Sequence, residues 1–161
     1  MRYPNRMEFT SDIQKEILGY LAGNGKTPSG QACRFMTVGE IGVKVYGKNA
    51  EKAQGAFENQ KRAADLGLAP AVGEFWTIRL RLGPYDHICI YGYLTEIADV
   101  IDESGYGGGT LTEEEEIELG KRLEANGFPA WDIYGRNVGR LKDGRAVCID
   151  FDPVSMDASR A

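Results

Sequence analysis

The stretch that decides how this chain folds is Trp131–Asp152, WDIYGRNVGRLKDGRAVCIDFD. Val138–Leu141 and Ala146–Ile149 are short β-prone runs, and Asp143-Gly144 between them is a strong tight-turn signal. The segment predicts a β-hairpin. Asn137 stands just before the first run and Asp150 just after the second, so pairing should return both to one end of the ladder, with Asp132 on the preceding loop. Asn and Asp are oxygen ligands that a hard divalent ion such as Mg²⁺ accepts, with sites left for water and phosphate. The plainer alternative is a hairpin flanked by ordinary turn-forming Asn and Asp residues.

Asp132-x-x-x-x-Asn137, followed thirteen residues on by the Asp of Ile149-Asp150-Phe151, resembles the catalytic loop and metal-binding turn of the protein-kinase-like superfamily. That superfamily includes the protein kinases and the small-molecule kinases of the aminoglycoside and choline type. The resemblance implies that Asp132 is the base accepting a substrate hydroxyl proton and that Asn137 and Asp150 are the metal ligands. Two positions depart from the pattern: Ala130-Trp131 replaces the His-Arg found in many protein kinases, and Asp152 stands where the Gly of Asp-Phe-Gly would be.

Upstream, Ile41–Tyr46 reads as a strand carrying one Lys, similar to the family strand whose Lys reaches the nucleotide phosphates. Lys44 takes that role by resemblance. A helix follows, with Asn49 as N-cap, Ala50 to Asp65 rich in helix formers, and Gly67 as the stop. Glu58, fourteen residues after Lys44, stands where the family places the Glu that orients the Lys; Glu51 is the rival at a shorter separation. Taken alone, a strand Lys and a helix Glu are ordinary solvated charges, and an exposed pair of this kind contributes only about 0 to 1 kcal/mol.

Glu74–Leu82 and His87–Tyr93 are dense in Ile, Phe, Trp, Tyr and Leu and are separated by the turn composition Gly83-Pro84-Tyr85-Asp86. With Ala32–Val38 and Ile41–Tyr46 they predict four or five antiparallel strands with one helix inserted. That is the arrangement of a kinase N-lobe. Tyr91-Gly92-Tyr93-Leu94 is then expected at the hinge, where the family reads adenine, which makes Tyr91 and Tyr93 candidate ATP-binding positions. Thr112 and Glu115 form a capping box for a second helix, closed by Asn126-Gly127. The run Glu113–Glu116 reads as a solvated, dipole-matched helix start.

Two family parts are missing. No G-x-G-x-x-G precedes the Lys44 strand, and the glycine-rich stretch Gly23–Gly30 contains Pro28. Its Gly25-Lys26-Thr27 resembles a phosphate-binding loop, but Ser11–Ala22 before it reads as a capped amphipathic helix, with Ile13, Ile17, Leu18 and Leu21 inward, where that motif needs a strand. Only nine residues follow Asp152, so the expectation is a C-lobe without activation segment or substrate-binding helices.

Composition fits one compact domain of 161 residues, long enough to bury roughly 68 to 70% of its unfolded surface. The net charge of −5 and pI near 5.0, with no basic stripe, argue against a nucleic-acid partner. No apolar run approaches the ~20 residues of a membrane span, and the first residues lack a signal-peptide core, so no membrane and a cytoplasmic location are expected. Cys33, Cys89 and Cys148 fall in predicted strands and read as buried free thiols. His87, the single His, opens a strand and reads as structural.

These readings converge on an α+β, kinase-like protein over residues 1–161, with an antiparallel β N-lobe at 27–93 and a short, truncated helical C-lobe at 94–161. The implied function is ATP·Mg²⁺-dependent phosphoryl transfer to a hydroxyl acceptor. The alternative is a catalytically inactive kinase-like module, a pseudokinase of bacterial or phage origin, that engages a partner protein. An unrelated α+β domain with fortuitous spacing is a third reading.

Overall fold

The computed structural model describes residues 7–24, 33–99, 111–128, 138–149 and 151. Among them are three helices, α1 (Ser11–Asn24), α2 (Ala50–Asp65) and α3 (Glu113–Ala125), and six strands. The strands are β1 (Arg34–Val38), β2 (Ile41–Gly47), β3 (Val72–Arg81), β4 (His87–Thr95), β5 (Val138–Arg140) and β6 (Ala146–Cys148). β1 to β4 form one antiparallel sheet in the order β1-β2-β4-β3, and β5-β6 form a separate antiparallel hairpin. The protein is α+β. None of the described helices is long and apolar enough to cross a membrane.

The chain divides into two compact units. The sheet unit comprises Arg2–Phe57 and Val72–Glu96; the hairpin unit comprises Glu58–Ala71 and Ile97–Ala161. The division falls inside α2, whose first half belongs to the sheet unit and whose second half belongs to the other.

In the sheet unit the central position of β4 follows from its composition. Ile90, Tyr93 and Leu94 are fully buried, whereas the edge strands β1 and β3 carry exposed Arg34, Thr37, Thr77, Arg79 and Arg81. Period-two alternation gives the sheet two working faces. Val43, Val45, Trp76, Ile78, Ile90 and Leu94 pack on one side with Ile13, Ile17 and Leu21 of α1. Tyr46 and Tyr93 pack on the other with Ala53 and Ala56 of α2, joined by Phe57, Phe75 and Tyr91. The helices register because their apolar residues recur three and four apart, and Thr10 and Asn49 cap them: Ile13 N donates to Thr10 Oγ1 at 3.2 Å and Lys52 N to Asn49 Oδ1 at 3.0 Å. Gly92 is required by close approach, since a Cβ there would lie 2.1 Å from the Lys44 carbonyl oxygen and 2.3 Å from the Trp76 ring.

The hairpin unit is built on two helix ends of one type. α2 and α3 stop at Gly67 and Gly127, with φ of 77° and 85°, and the next residue, Leu68 or Phe128, donates back to Ala63 O or Leu123 O at 2.9 Å. This is the left-handed glycine cap, and it turns an apolar residue inward each time. Leu68 and Phe128 are buried with Leu119, Leu123, Val138, Cys148 and Phe151. The Arg62 guanidinium stacks 3.8 Å from the Phe128 ring centroid and donates to Asn126 O. Cys148 N donates to Leu68 O at 2.9 Å, which fastens β6 to the turn after α2, while Asp99 and Arg140 exchange two main-chain bonds beside β5.

All three cysteines are free, but only Cys148 is buried. Cys33 and Cys89 are half-buried because they lie on the sheet face that α2 covers incompletely. His87 opens β4 on the exposed side, with Arg79 Nη2 2.8 Å from its Nε2.

Candidate functional site

Lys44 lies at the middle of β2, a central strand, and is 7% exposed. The expectation of a solvated strand lysine is corrected by alternation: residue 44 points to the face that α2 covers. Its cross-strand partner is Tyr93, itself fully buried, and Lys44 Nζ lies 5.5 Å from the Tyr93 ring centroid. Tyr46, two residues along β2, stacks on Tyr93 with centroids 6.0 Å apart. The two phenols are hydrogen-bond partners, with the Cys33 thiol beside Tyr46. Burial pushes both phenol pKa values above their ordinary range; Tyr93 adds to the rise at Tyr46, while the Lys44 charge pulls Tyr93 partly back. The cluster is therefore a buried lysine head beside an aromatic floor of Tyr46 and Tyr93, completed by Phe57 edge-on to Tyr93 at 5.3 Å.

Glu58 lies on the exposed side of α2. At about 100° per residue it is far around the helix from the buried positions Ala53, Ala56 and Gln60. Glu51 is also exposed. Tyr91 and Tyr93 lie within β4, whose ladder to both β2 and β3 continues to Thr95. The main chain of Tyr91–Leu94 is thus engaged in a central strand, and the chain leaves the sheet unit only after Glu96.

Asp132, Asn137 and Asp150 lie outside the described residues. Their sequence neighbours do not. Val138 pairs with Cys148, so the chain enters and leaves the hairpin at one end of its ladder. Phe151, the residue after Asp150, is fully buried and edge-on to Phe128 with centroids 6.1 Å apart. Among the described residues no group of three or more His, Cys, Asp or Glu side chains could hold a metal ion.

The hairpin unit also has an open groove of about 490 Å³ lined by Thr112, Glu114, Glu118, Arg122 and Arg145. Its wall mixes both signs of charge, so it selects for neither anion nor cation. Glu115 lines it too, and its Oε1 accepts from Thr112 N at 3.0 Å and from Arg140 Nη2 at 2.6 Å. The Arg140 bond, and then the Thr112 main-chain donor, hold the Glu115 carboxyl at a pKa of about 2. Sequence reading recognised the capping box but missed Arg140, because a partner twenty-five residues away leaves no local signal. Tyr46 was also missed, although its two-residue spacing from Lys44 on one strand was available as a signal.

No protein-family model matches the chain, and no curated protein matches it.

Proposed function

We propose that the protein is a kinase-like nucleotide-binding protein that transfers phosphate from ATP·Mg²⁺ to a hydroxyl. The observation that carries this reading is the burial of Lys44 at mid-strand against Tyr93 and under α2. A lysine held this deep at mid-strand stands at the position where the kinase-like resemblance implies a contact with the nucleotide phosphates. By the resemblance Lys44 would meet phosphate, and Asn137 and Asp150 are oxygen donors of the kind a hard cation accepts. What supports the second assignment is the single-ended register of the hairpin and the burial of Phe151, the residue after Asp150. Bound Mg²⁺ would neutralise phosphate charge as it develops. Asp132 is the proposed base for the acceptor hydroxyl.

The second reading, a nucleotide-holding module without turnover, is favoured by the absence of a glycine-rich phosphate loop before β2. One experiment separates the two. ADP release from ATP is measured with candidate acceptors for the wild type and Asp132→Asn, beside a thermal-shift assay with ATP·Mg²⁺. Turnover abolished by Asp132→Asn with binding retained identifies the enzyme; binding without turnover above the Asp132→Asn level identifies the module. A wild type with no thermal shift rejects both.

A further inference from the structure

Among the described residues β3 is an edge strand: it pairs with β4 on one side, and on its outer side Glu74 N, near its start, donates to Met7 O at 2.9 Å, with no strand paired along Thr77–Arg81. Leu82 N donates to Asp86 O at 2.8 Å, which makes Leu82 and Asp86 a hydrogen-bonded pair. In an antiparallel ladder such pairs alternate, so the main-chain N–H and C=O groups of Thr77, Arg79 and Arg81 turn away from β4 toward the open edge. Their side chains share one face with His87 and Cys89, their neighbours across the ladder. Thr77, Arg79, Arg81 and His87 are all exposed, because α2 covers only the Phe75, Tyr91 and Tyr93 end of this face.

The charge on this face is one-sided. Within the strands, no carboxylate alternates onto the stretch from Phe75 to Tyr91; Glu74 belongs to the other face, where its Oε1 accepts from Phe9 N at 2.7 Å. Both guanidiniums have local partners. Arg79 bonds the His87 ring at 2.8 Å, and Arg81 donates through Nε and Nη2 to the Gly83 and Pro84 carbonyls at 3.3 Å. Among the described residues neither arginine pairs with a carboxylate. In a chain of net charge −5, two oriented guanidiniums with no carboxylate partner, beside a ladder edge left unpaired among the described residues, form a local anion-selective surface.

We propose that the outer edge of β3 from Thr77 to Arg81, with the cationic face beside it, is a docking strand for an extended acidic peptide segment of a partner protein. An added antiparallel strand takes its main-chain bonds from residues 77, 79 and 81, and carboxylates at every second position of the peptide meet Arg79 and Arg81, which stand about 7 Å apart along the strand. A second copy of this chain is the poorer occupant. Antiparallel pairing of two β3 strands about Arg79 sets guanidinium against guanidinium, and like charges directly opposite destabilise a ladder. Single-stranded nucleic acid supplies anions but no peptide groups to extend the sheet. The inference goes beyond the phosphotransferase reading and does not rest on it.

The test uses the full chain and three fluorescein-labelled probes: a peptide alternating Glu and Val, the same peptide with a central Pro, and a short oligothymidylate. Fluorescence anisotropy is expected to show binding of the alternating peptide, about tenfold or greater weakening by the Arg79→Glu/Arg81→Glu variant, and loss with the Pro peptide, which lacks a ladder donor. Amide NMR shifts should move at Thr77, Arg79 and Arg81. The altered side chains are exposed, so the variant should melt as the wild type does, and single Arg79→Gln and Arg81→Gln variants repeat the measurement with smaller charge change. Absence of peptide binding overturns the proposal. So does equal affinity for the Pro peptide, tighter binding of oligothymidylate, or a concentration-dependent dimer in sedimentation whose formation protects these amides.

Discussion

Lys44 and Tyr93 stand directly opposite each other on the two central strands of the sheet, both buried, with the lysine Nζ 5.5 Å from the centroid of the tyrosine ring. The Lys44 side chain is thus part of the packed face beneath α2, and its removal acts on stability whatever its part in the proposed nucleotide site.

The pair of substitutions Lys44→Ala and Lys44→Met separates these effects. Alanine leaves a void under α2 and is expected to cost about 2 to 3 kcal/mol in urea denaturation. Methionine keeps the unbranched stem and fills most of that void, so it should lose less stability than alanine. Calorimetry with ATP·Mg²⁺ should show both variants weakened alike; a Met variant that binds as tightly as the wild type removes Lys44 from the nucleotide site.

The Glu115–Arg140 contact makes a pH prediction. Glu115 has an ordinary pKa of 4.5 and a folded value of about 2, caused first by the Arg140 hydrogen bond and then by the Thr112 main-chain donor. A depressed carboxylate stabilises fully above its unfolded pKa, and the contribution is lost as pH falls from 4.5 toward about 2. The wild type should therefore exceed Glu115→Gln in urea midpoint at neutral pH, and the gap should close over that acid window. A gap that stays constant with pH would mean that the carboxylate charge plays no part.

Thr112 Oγ1 accepts from Glu115 N at 3.1 Å, completing the reciprocal cap of α3. Thr112→Ala should lower stability by about 1 kcal/mol, and Thr112→Ser should recover most of it. Equal losses for both would shift the role from the hydroxyl to the methyl group.

Gly92→Ala tests the tightest approach in the sheet. The new Cβ would fall on the Lys44 carbonyl oxygen, a backbone atom that cannot yield without breaking the β2-β4 ladder. A loss of more than about 3 kcal/mol, or failure to fold, is expected. Gly83→Ala, in the β3-β4 turn with no atom near the added Cβ, is the matched control and should be nearly neutral.

Local pattern was enough for every element whose signal lies within one turn or one strand. The three helices were legible from spacing and from Asn49, Gly67, Thr112 and Glu115, and the hairpin from Asp143-Gly144 between two β-prone runs. These signals are short-range by nature: a cap satisfies main-chain donors three residues away, and alternation only requires that one side of a strand be dry. What such signals cannot carry is which strand lies beside which. The insertion of β4 between β2 and β3 joins residues about fifty apart, and the reason is the collective burial of Ile90, Tyr93 and Leu94 on both sides of one strand. From that order alone follow the burial of Lys44 against Tyr93, the engagement of Tyr91–Leu94 in the ladder to Thr95, and the open edge at Thr77, Arg79 and Arg81. The sequence by itself determined the elements, because capping and periodicity are local free energies. Tertiary structure decided which polar residues are buried and which edge is free, because those depend on contacts between segments that no local spacing encodes.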